Sequence, residues 1–251
     1  MINYATTYNN IDFSKIYDYN YYVSTYPDIK KAYGYDDEAT LKHFASYGMN
    51  ENRKGKSTYN QTDYDNIKNE INNIYSLTPI MGTTKTNVAQ MVRYYRANGN
   101  YPSYYAGTDA PTIEAFCQIY YEEATAEGVR AEVAFAQAMK ETGFLRFGGS
   151  VKIEQKNFAG LGATGGGVSG ASFSSVREGV RAQIQHLKAY GSTANLVNPV
   201  VDQRFKYVTR GSALYVEWLG INENPNKKGW ATAKNYGYSL KNDYMIKLLS
   251  K

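Results

Sequence analysis

The chain has 251 residues, of which 43% are hydrophobic and 20% charged; this is the balance of a folded globular protein with a real core rather than a disordered one. Its net charge of +5 comes from scattered Lys and Arg without a dense basic run, which argues against a nucleic-acid partner while favouring approach to an anionic surface. One cysteine, Cys117, excludes an intramolecular disulfide, and no stretch reaches the roughly 20 apolar residues that span a bilayer.

Residues 1–10 are polar and read as loose. Residues 11–57 read as a small helical unit. Asp37 is placed to cap a helix carrying Leu41, Phe44 and Ala45, with Gly48 as its stop, and Pro27 opens a shorter turn with Ile29 and Tyr33 on one face. A unit of this size is marginal alone and is expected to lean on another surface. Residues 58–76, rich in Asn and Asp, read as a linker or a solvated helix.

Residues 77–251 read as the main domain. Val88, Met91, Val92 and Tyr95 predict an amphipathic helix around 86–97, followed by a turn-rich loop over 98–111. Thr112 caps the next helix and Gly128 ends it. The helix Ala131–Glu141 is apolar nearly all round, which predicts burial in the middle of a domain; Gly143 breaks it. Between Phe144 and Ser175 the helical pattern gives way to glycine, predicting short strands and tight loops. Helix resumes at Ser175–Tyr190, with Val180, Ile184 and Leu187 inward, and again at about 212–219 and 238–249. The fold class expected is mainly α, with a small glycine-rich β lobe and a small helical N-terminal module.

Glu141 is the residue with chemical promise. It ends an apolar helix just before a loop-rich lobe, beside Phe135, Phe144 or Phe147. Desolvation and the negative helix C-terminus both favour the protonated carboxyl, the state a general acid needs. The alternative is a plain glutamate, solvated or paired with Lys140 or Arg146. His43 and His186 are the only histidines, and a structural role is expected for His186. No cluster has metal-ligand spacing, and Gly165–Gly167 is not a phosphate loop because no Gly-Lys-Ser/Thr follows; no metal and no cofactor are expected. The 26 tyrosines offer flat apolar faces with hydroxyls suited to sugar rings, although many such rings will be core.

The stretch AEGVRAEVAFAQAMKETGFLRFGGSVKIEQKNFAGLGATGGG, followed by GVRAQIQHLKAY, NPVVDQRF, YVEWLG, ENPNKKGWA and NYGYSL, resembles the glucosaminidase domain of bacterial autolysins, glycoside hydrolase family 73, over about residues 77–251. The resemblance implies a lysozyme-like α+β fold and cleavage of the β-1,4 bond between N-acetylglucosamine and N-acetylmuramic acid in peptidoglycan. It gives Glu141 the role of catalytic acid, in Ala-x-x-Glu-Thr-Gly. It makes Asn157, Phe158, Ala159 and Gly160 part of a substrate-binding loop. Tyr236 is implied to face the acid and the substrate's acetamido group, and Trp230, with Trp218, becomes a candidate stacking platform. A second carboxylate would have to be Glu154, the acidic residue of the lobe, since Glu178, Asp202 and Glu223 are expected to cap helices or pair with bases. Attack by the substrate's own acetamido oxygen needs no second carboxylate and is the expected route. A lytic transglycosylase, or an inactive wall-binding protein, are the alternatives.

Residues 21–56, YYVSTYPDIKKAYGYDDEATLKHFASYGMNENRKGK, are similar to a short repeat found beside clostridial wall hydrolases, which suggests wall attachment through exposed Tyr and Arg or Lys, or a spacer. The expected partner is bacterial peptidoglycan, the expected state a monomer without a membrane span, and the expected place the cell wall. The start MINYATTYNNIDFSK lacks the basic head and apolar run of a signal peptide, so a secreted autolysin and a phage endolysin are both open.

Overall fold

A computed structural model describes residues 4–8, 11–163 and 169–251, and the chain divides into two compact units, Met1–Ser76 and Leu77–Lys251. The run Gly165–Gly167 lies outside the described residues. The mainly α expectation holds in both units: among the described residues the one sheet is a two-stranded pairing near the N-terminus.

In the first unit, β1 (Thr7–Tyr8) pairs antiparallel with β2 (Ile11–Asp12), so part of the segment expected to be loose is ordered. Helices α1 (Tyr19–Thr25), α2 (Pro27–Tyr33) and α3 (Asp37–His43) follow, and α3 runs on into a π-helical turn at Phe44–Gly48. The cap of α3 is Asp36, which accepts from the Ala39 N–H at 2.9 Å; the neighbouring Asp37 accepts from the Ala5 N–H at 2.6 Å instead. Tyr17 and Tyr22 each pack with ring centroids 5.2 Å from Phe44, in a core with Phe13, Ile16 and Leu41. The segment expected to be a linker or solvated helix contains α4 (Gln61–Tyr75). Its Tyr64, Ile67 and Ile71 are buried in the same core, a single apolar stripe at helical spacing on an otherwise polar helix.

The second unit is built around α7 (Ala131–Thr142), packed by α6 (Ile113–Glu127), α8 (Val176–Gly191) and a C-terminal helix. That last helix runs as α9 (Tyr236–Ser239), a π-helical stretch (Leu240–Met245) and α10 (Ile246–Leu249). Helix α5 (Val88–Arg96), capped by Asn87, packs on α6. Thr112 caps α6 through the Ala115 N–H, and Gly128 ends it with φ 71°. Two buried carboxylates lock α6 to α8. Glu123 accepts from Arg177 and Arg181. Glu127 pairs with Lys188 at 2.8 Å and takes the N–H groups of Val197 and Asn198. Such pairs contribute specificity of packing, and removing one partner strands a buried charge at a cost of about 3–5 kcal/mol.

After Gly143 (φ 57°) the chain turns through Phe144, Leu145 and Phe147, all with positive φ, a conformation that is costly for bulky residues. Thr142 over-determines it: its hydroxyl donates to the Ala138 carbonyl at 2.6 Å and accepts from the Leu145 N–H at 2.9 Å. Among the described residues of 144–175 there is no strand, only the short 3-10 turn Ile153–Gln155, so the described part of the lobe is loop where short strands were expected. Side chains take the place of a ladder: Gln155 donates to the Gly170 carbonyl at 2.7 Å, and Asn157 to the carbonyls of Leu161 and Ala171. The helix expected at 212–219 is reduced to the 3-10 turn Val216–Leu219. No helix of the described residues is long and apolar enough to cross a membrane.

Helix α8 holds the lobe by close approach. A Cβ on Gly179 would stand 1.8 Å from the carbonyl oxygen of Lys156. Gly179→Ala is therefore expected to destabilise the chain by about 2 kcal/mol, the scale of overpacking, and to lower the melting temperature by roughly 5 °C in thermal unfolding. A wild-type melting curve would show that helix and lobe do not meet here.

Candidate active site

Helix α7 ends at the head of a groove of about 860 Å³, within the size range of small-molecule sites. Its described lining comes from three places: Lys140, Glu141 and Thr142 at the helix end, the lobe from Phe147 to Ala163, and the segment Trp230–Ala233 with Tyr236. The helix is buried on every side up to Met139, its polar Glu132 and Gln137 included, so its last turn is the first place where a polar side chain meets water. Glu141 stands there, in contact with solvent along the groove.

The Tyr236 hydroxyl donates to Glu141 Oε1. Crowding by protein raises the Glu141 carboxyl above its ordinary value; the hydrogen bond from Tyr236 and the charge of Lys140 pull it down without cancelling the rise. Burial, then the charge of Glu141, pushes the Tyr236 phenol far up, so Tyr236 stays a donor. Tyr236 reaches this place because Asn235 turns through a left-handed conformation (φ 57°) and α9 begins at once. Lys140 is held aside: it donates to Ser239 Oγ at 2.9 Å and lies over the rings of Tyr236 and Tyr244, 5.5 and 5.3 Å from their centroids. Neither Lys140 nor Arg146 pairs with Glu141, since Arg146 binds the carbonyls of Gly143 and Asn98.

The loop residues divide. Gly160 lines the groove with φ 65°, and a Cβ there would stand 3.9 Å from Glu141 Oε2. Ala159 lines it too. Asn157 borders the groove, but its amide is spent on the loop: Oδ1 accepts from the Leu161 N–H at 2.9 Å and Nδ2 serves two carbonyls. Phe158 does not reach the groove. It is fully buried against Tyr105, Phe116 and Tyr120, an apolar anchor for the loop, which corrects its expected contact with substrate. Trp230 is half-buried in the wall and packs edge-on against His186, whose Nδ1 meets Asp202 at 2.6 Å; His186 thus supports the wall. Trp218 is not part of the lining and packs at right angles on Tyr215.

Glu154, the candidate second carboxylate, is exposed on its 3-10 turn and absent from the described lining. Glu178 accepts from Ser174, Asp202 pairs with His186, and Glu223 takes the Asn235 N–H. Of the three aromatics expected beside Glu141, Phe147 shares the groove, Phe144 packs on Tyr94 and Tyr244, and Phe135 is core. No group of three His, Cys, Asp or Glu among the described residues could hold a metal ion.

One contributor was not singled out from the sequence. Gln137 lies one turn before Glu141 on the same face and donates to the Tyr236 oxygen at 3.2 Å. Its signal is legible: an amide in the apolar middle of the helix, four residues before the acid.

Residues 117–250 match the Glucosaminidase family, described as mannosyl-glycoprotein endo-beta-N-acetylglucosaminidase. The chain is also 36% identical over 202 residues to an uncharacterized protein of Borreliella burgdorferi (strain ATCC 35210 / DSM 4680 / CIP 102532 / B31), covering 80% of this chain and 92% of that one. No solved structure matches. The family model spans more than half of the sequence and takes in α7, the lobe and Tyr236 together, so the chain belongs to the Glucosaminidase family: it is an endo-β-N-acetylglucosaminidase, a glycoside hydrolase of cell-wall peptidoglycan.

Proposed function

We propose that the groove takes the glycan strand of peptidoglycan and that Glu141 protonates the β-1,4 bond that joins N-acetylglucosamine to N-acetylmuramic acid. The observation that carries this reading is a lone carboxyl in the described lining, with its proton affinity raised and a tyrosine hydroxyl fixed on it. Two-carboxylate glycosidases place their pair about 5–9.5 Å apart across the bond, and the described lining offers no second acidic residue.

The reading therefore uses the substrate's acetamido group. Its carbonyl oxygen attacks the anomeric carbon as the bond to the leaving oxygen breaks, and that oxygen takes the Glu141 proton. The resulting carboxylate then draws a proton from a water that opens the cyclic intermediate, restoring both the acetamido group and the acid. Tyr236 donates its one proton to Glu141 and accepts from Gln137, which leaves its second lone pair to receive the acetamido N–H and aim the carbonyl inward.

In the N-terminal unit, the same reading assigns attachment to the wall. Support comes from a surface groove of about 510 Å³ bordered by Tyr4, Tyr21, Tyr35 and Lys30, with Tyr35 89% exposed: aromatic faces for sugar rings beside a cation for an anionic polymer.

Muropeptide mass spectrometry of digested walls tests the chemistry. The intact chain is expected to release fragments with new N-acetylglucosamine reducing ends. Glu141→Gln is expected to lose at least about 100-fold in rate, the lower scale of general acid–base catalysis. Anhydro sugars would mean transglycosylation instead, and undiminished digestion by Glu141→Gln would end the proposal. Proton NMR of the first product is expected to show retained configuration, and inversion would exclude acetamido attack. For attachment, Tyr35→Ala is expected to weaken sedimentation with purified walls while the folded state persists; unchanged co-sedimentation would remove that role.

A further inference from the structure

Behind Tyr236 lies a chain of buried polar side chains that the reaction as written does not use. Tyr120, Gln137 and Gln183 are completely buried and Tyr236 nearly so. The hydrogen-bond directions along this chain are fixed from one end. The Ala134 backbone carbonyl can only accept, and it receives Gln183 Nε2 at 2.9 Å. The Gln183 amide nitrogen therefore faces inward, and the same nitrogen donates to Gln137 Oε1 at 3.0 Å. Gln183 Oε1, on the other side, accepts from the Tyr120 hydroxyl at 2.7 Å. With its oxygen committed, Gln137 has only its Nε2 to present to the Tyr236 oxygen, at 3.2 Å. An N–H aimed at a phenol oxygen leaves the phenol's own hydrogen one place to go, Glu141 Oε1.

We propose that Gln137, oriented by Gln183 and the Ala134 carbonyl, is a positioning residue that fixes the Tyr236 hydroxyl as donor and so confines the catalytic proton of Glu141 to Oε2. The carbonyl-type oxygen of a protonated carboxyl is its better acceptor, so Oε1 takes the tyrosine proton and the acid proton resides on Oε2. Oε2 is the oxygen on the side of Gly160, in the groove. A relay of satisfied hydrogen bonds also strengthens each member by polarisation, making Tyr236 a better donor and holding the carboxylate form in reach for the second half of the reaction. The titratable groups around Glu141 are Lys140 on its own helix and Tyr236 and Tyr244 on the C-terminal helix; the lobe side of the described lining adds none.

This inference rests on Glu141 being the acid, and its test separates the two. The acid must be protonated to act, so activity falls as pH rises through its pKa. Losing a donor to its carboxylate raises that pKa and moves the alkaline limb upward. In Gln137→Leu and in the similarly sized, uncharged Gln137→Met, kcat/KM on soluble peptidoglycan fragments is expected to show that limb displaced to higher pH, with melting temperature measured in parallel. In a Tyr236→Phe background, Gln137→Leu is expected to add no further displacement. An unmoved limb in folded variants, or a full displacement that persists without the Tyr236 hydroxyl, would overturn the relay. Should neither variant fold, the side-chain amide signals of Gln137 in the wild-type protein are expected to shift with the titration of Glu141 in NMR, and signals indifferent to it would overturn the relay equally. If Glu141→Gln digests walls at full rate, the acid assignment itself fails; if Glu141→Gln is inactive while the limb stays put in the Gln137 variants, only the relay fails.

Discussion

A carboxylic acid holds its proton more tightly where its charged form is poorly solvated, and the end of helix α7 is such a place for Glu141. Val133, Ala134, Phe135, Ala136, Ala138 and Met139 are all fully buried, so the helix runs through the middle of the unit and surfaces only at its last turn. A glutamate placed there is exposed along the groove, while the protein around it raises its carboxyl above the ordinary value. The surrounding helices, with the ion pairs that lock α6 to α8, are the scaffold that keeps this rod in place.

The groove then follows from how the chain leaves α7. Gly143 and the left-handed residues after it throw the lobe to one side of the acid, and the C-terminal helix brings Tyr236 to the other. Each wall is anchored away from the chemistry: Phe158 in the core, Asn157 on its own loop, Trp230 on His186. One short loop thus carries a buried anchor, Phe158, beside the groove-lining residues Asn157, Ala159 and Gly160.

The helices of the second unit were largely legible because their signals are local. Thr112 and Gly128 delimit α6 by capping alone, and the all-apolar run of α7 announces burial. What was not legible depends on partners distant in sequence. The glycine-rich lobe reads as strands, yet Gln155 and Asn157 hold it through backbone carbonyls of residues 161–171, a pattern with no periodicity. Asp36 and Asp37 are both able to cap α3, and the contact with Ala5 decides between them. Helix α4 looks solvated because, among its described side chains, one stripe of Tyr64, Ile67 and Ile71 is buried. At the site, Glu141 stood out by its place at the end of an apolar helix and Tyr236 entered through the family resemblance, while the direction of Phe158 and the meaning of Gln137 required seeing which side chains face each other.

The account stands on the protonation of one side chain, and carbon-13 NMR of the Glu141 carboxyl, assigned by comparison with Glu141→Gln, reads it directly. The midpoint is expected above the ordinary glutamate value of 4.5 and to coincide with the pH at which wall digestion declines on the alkaline side. A midpoint at or below 4.5, or digestion that continues undiminished well above the midpoint, would contradict the assignment of Glu141 as the acid.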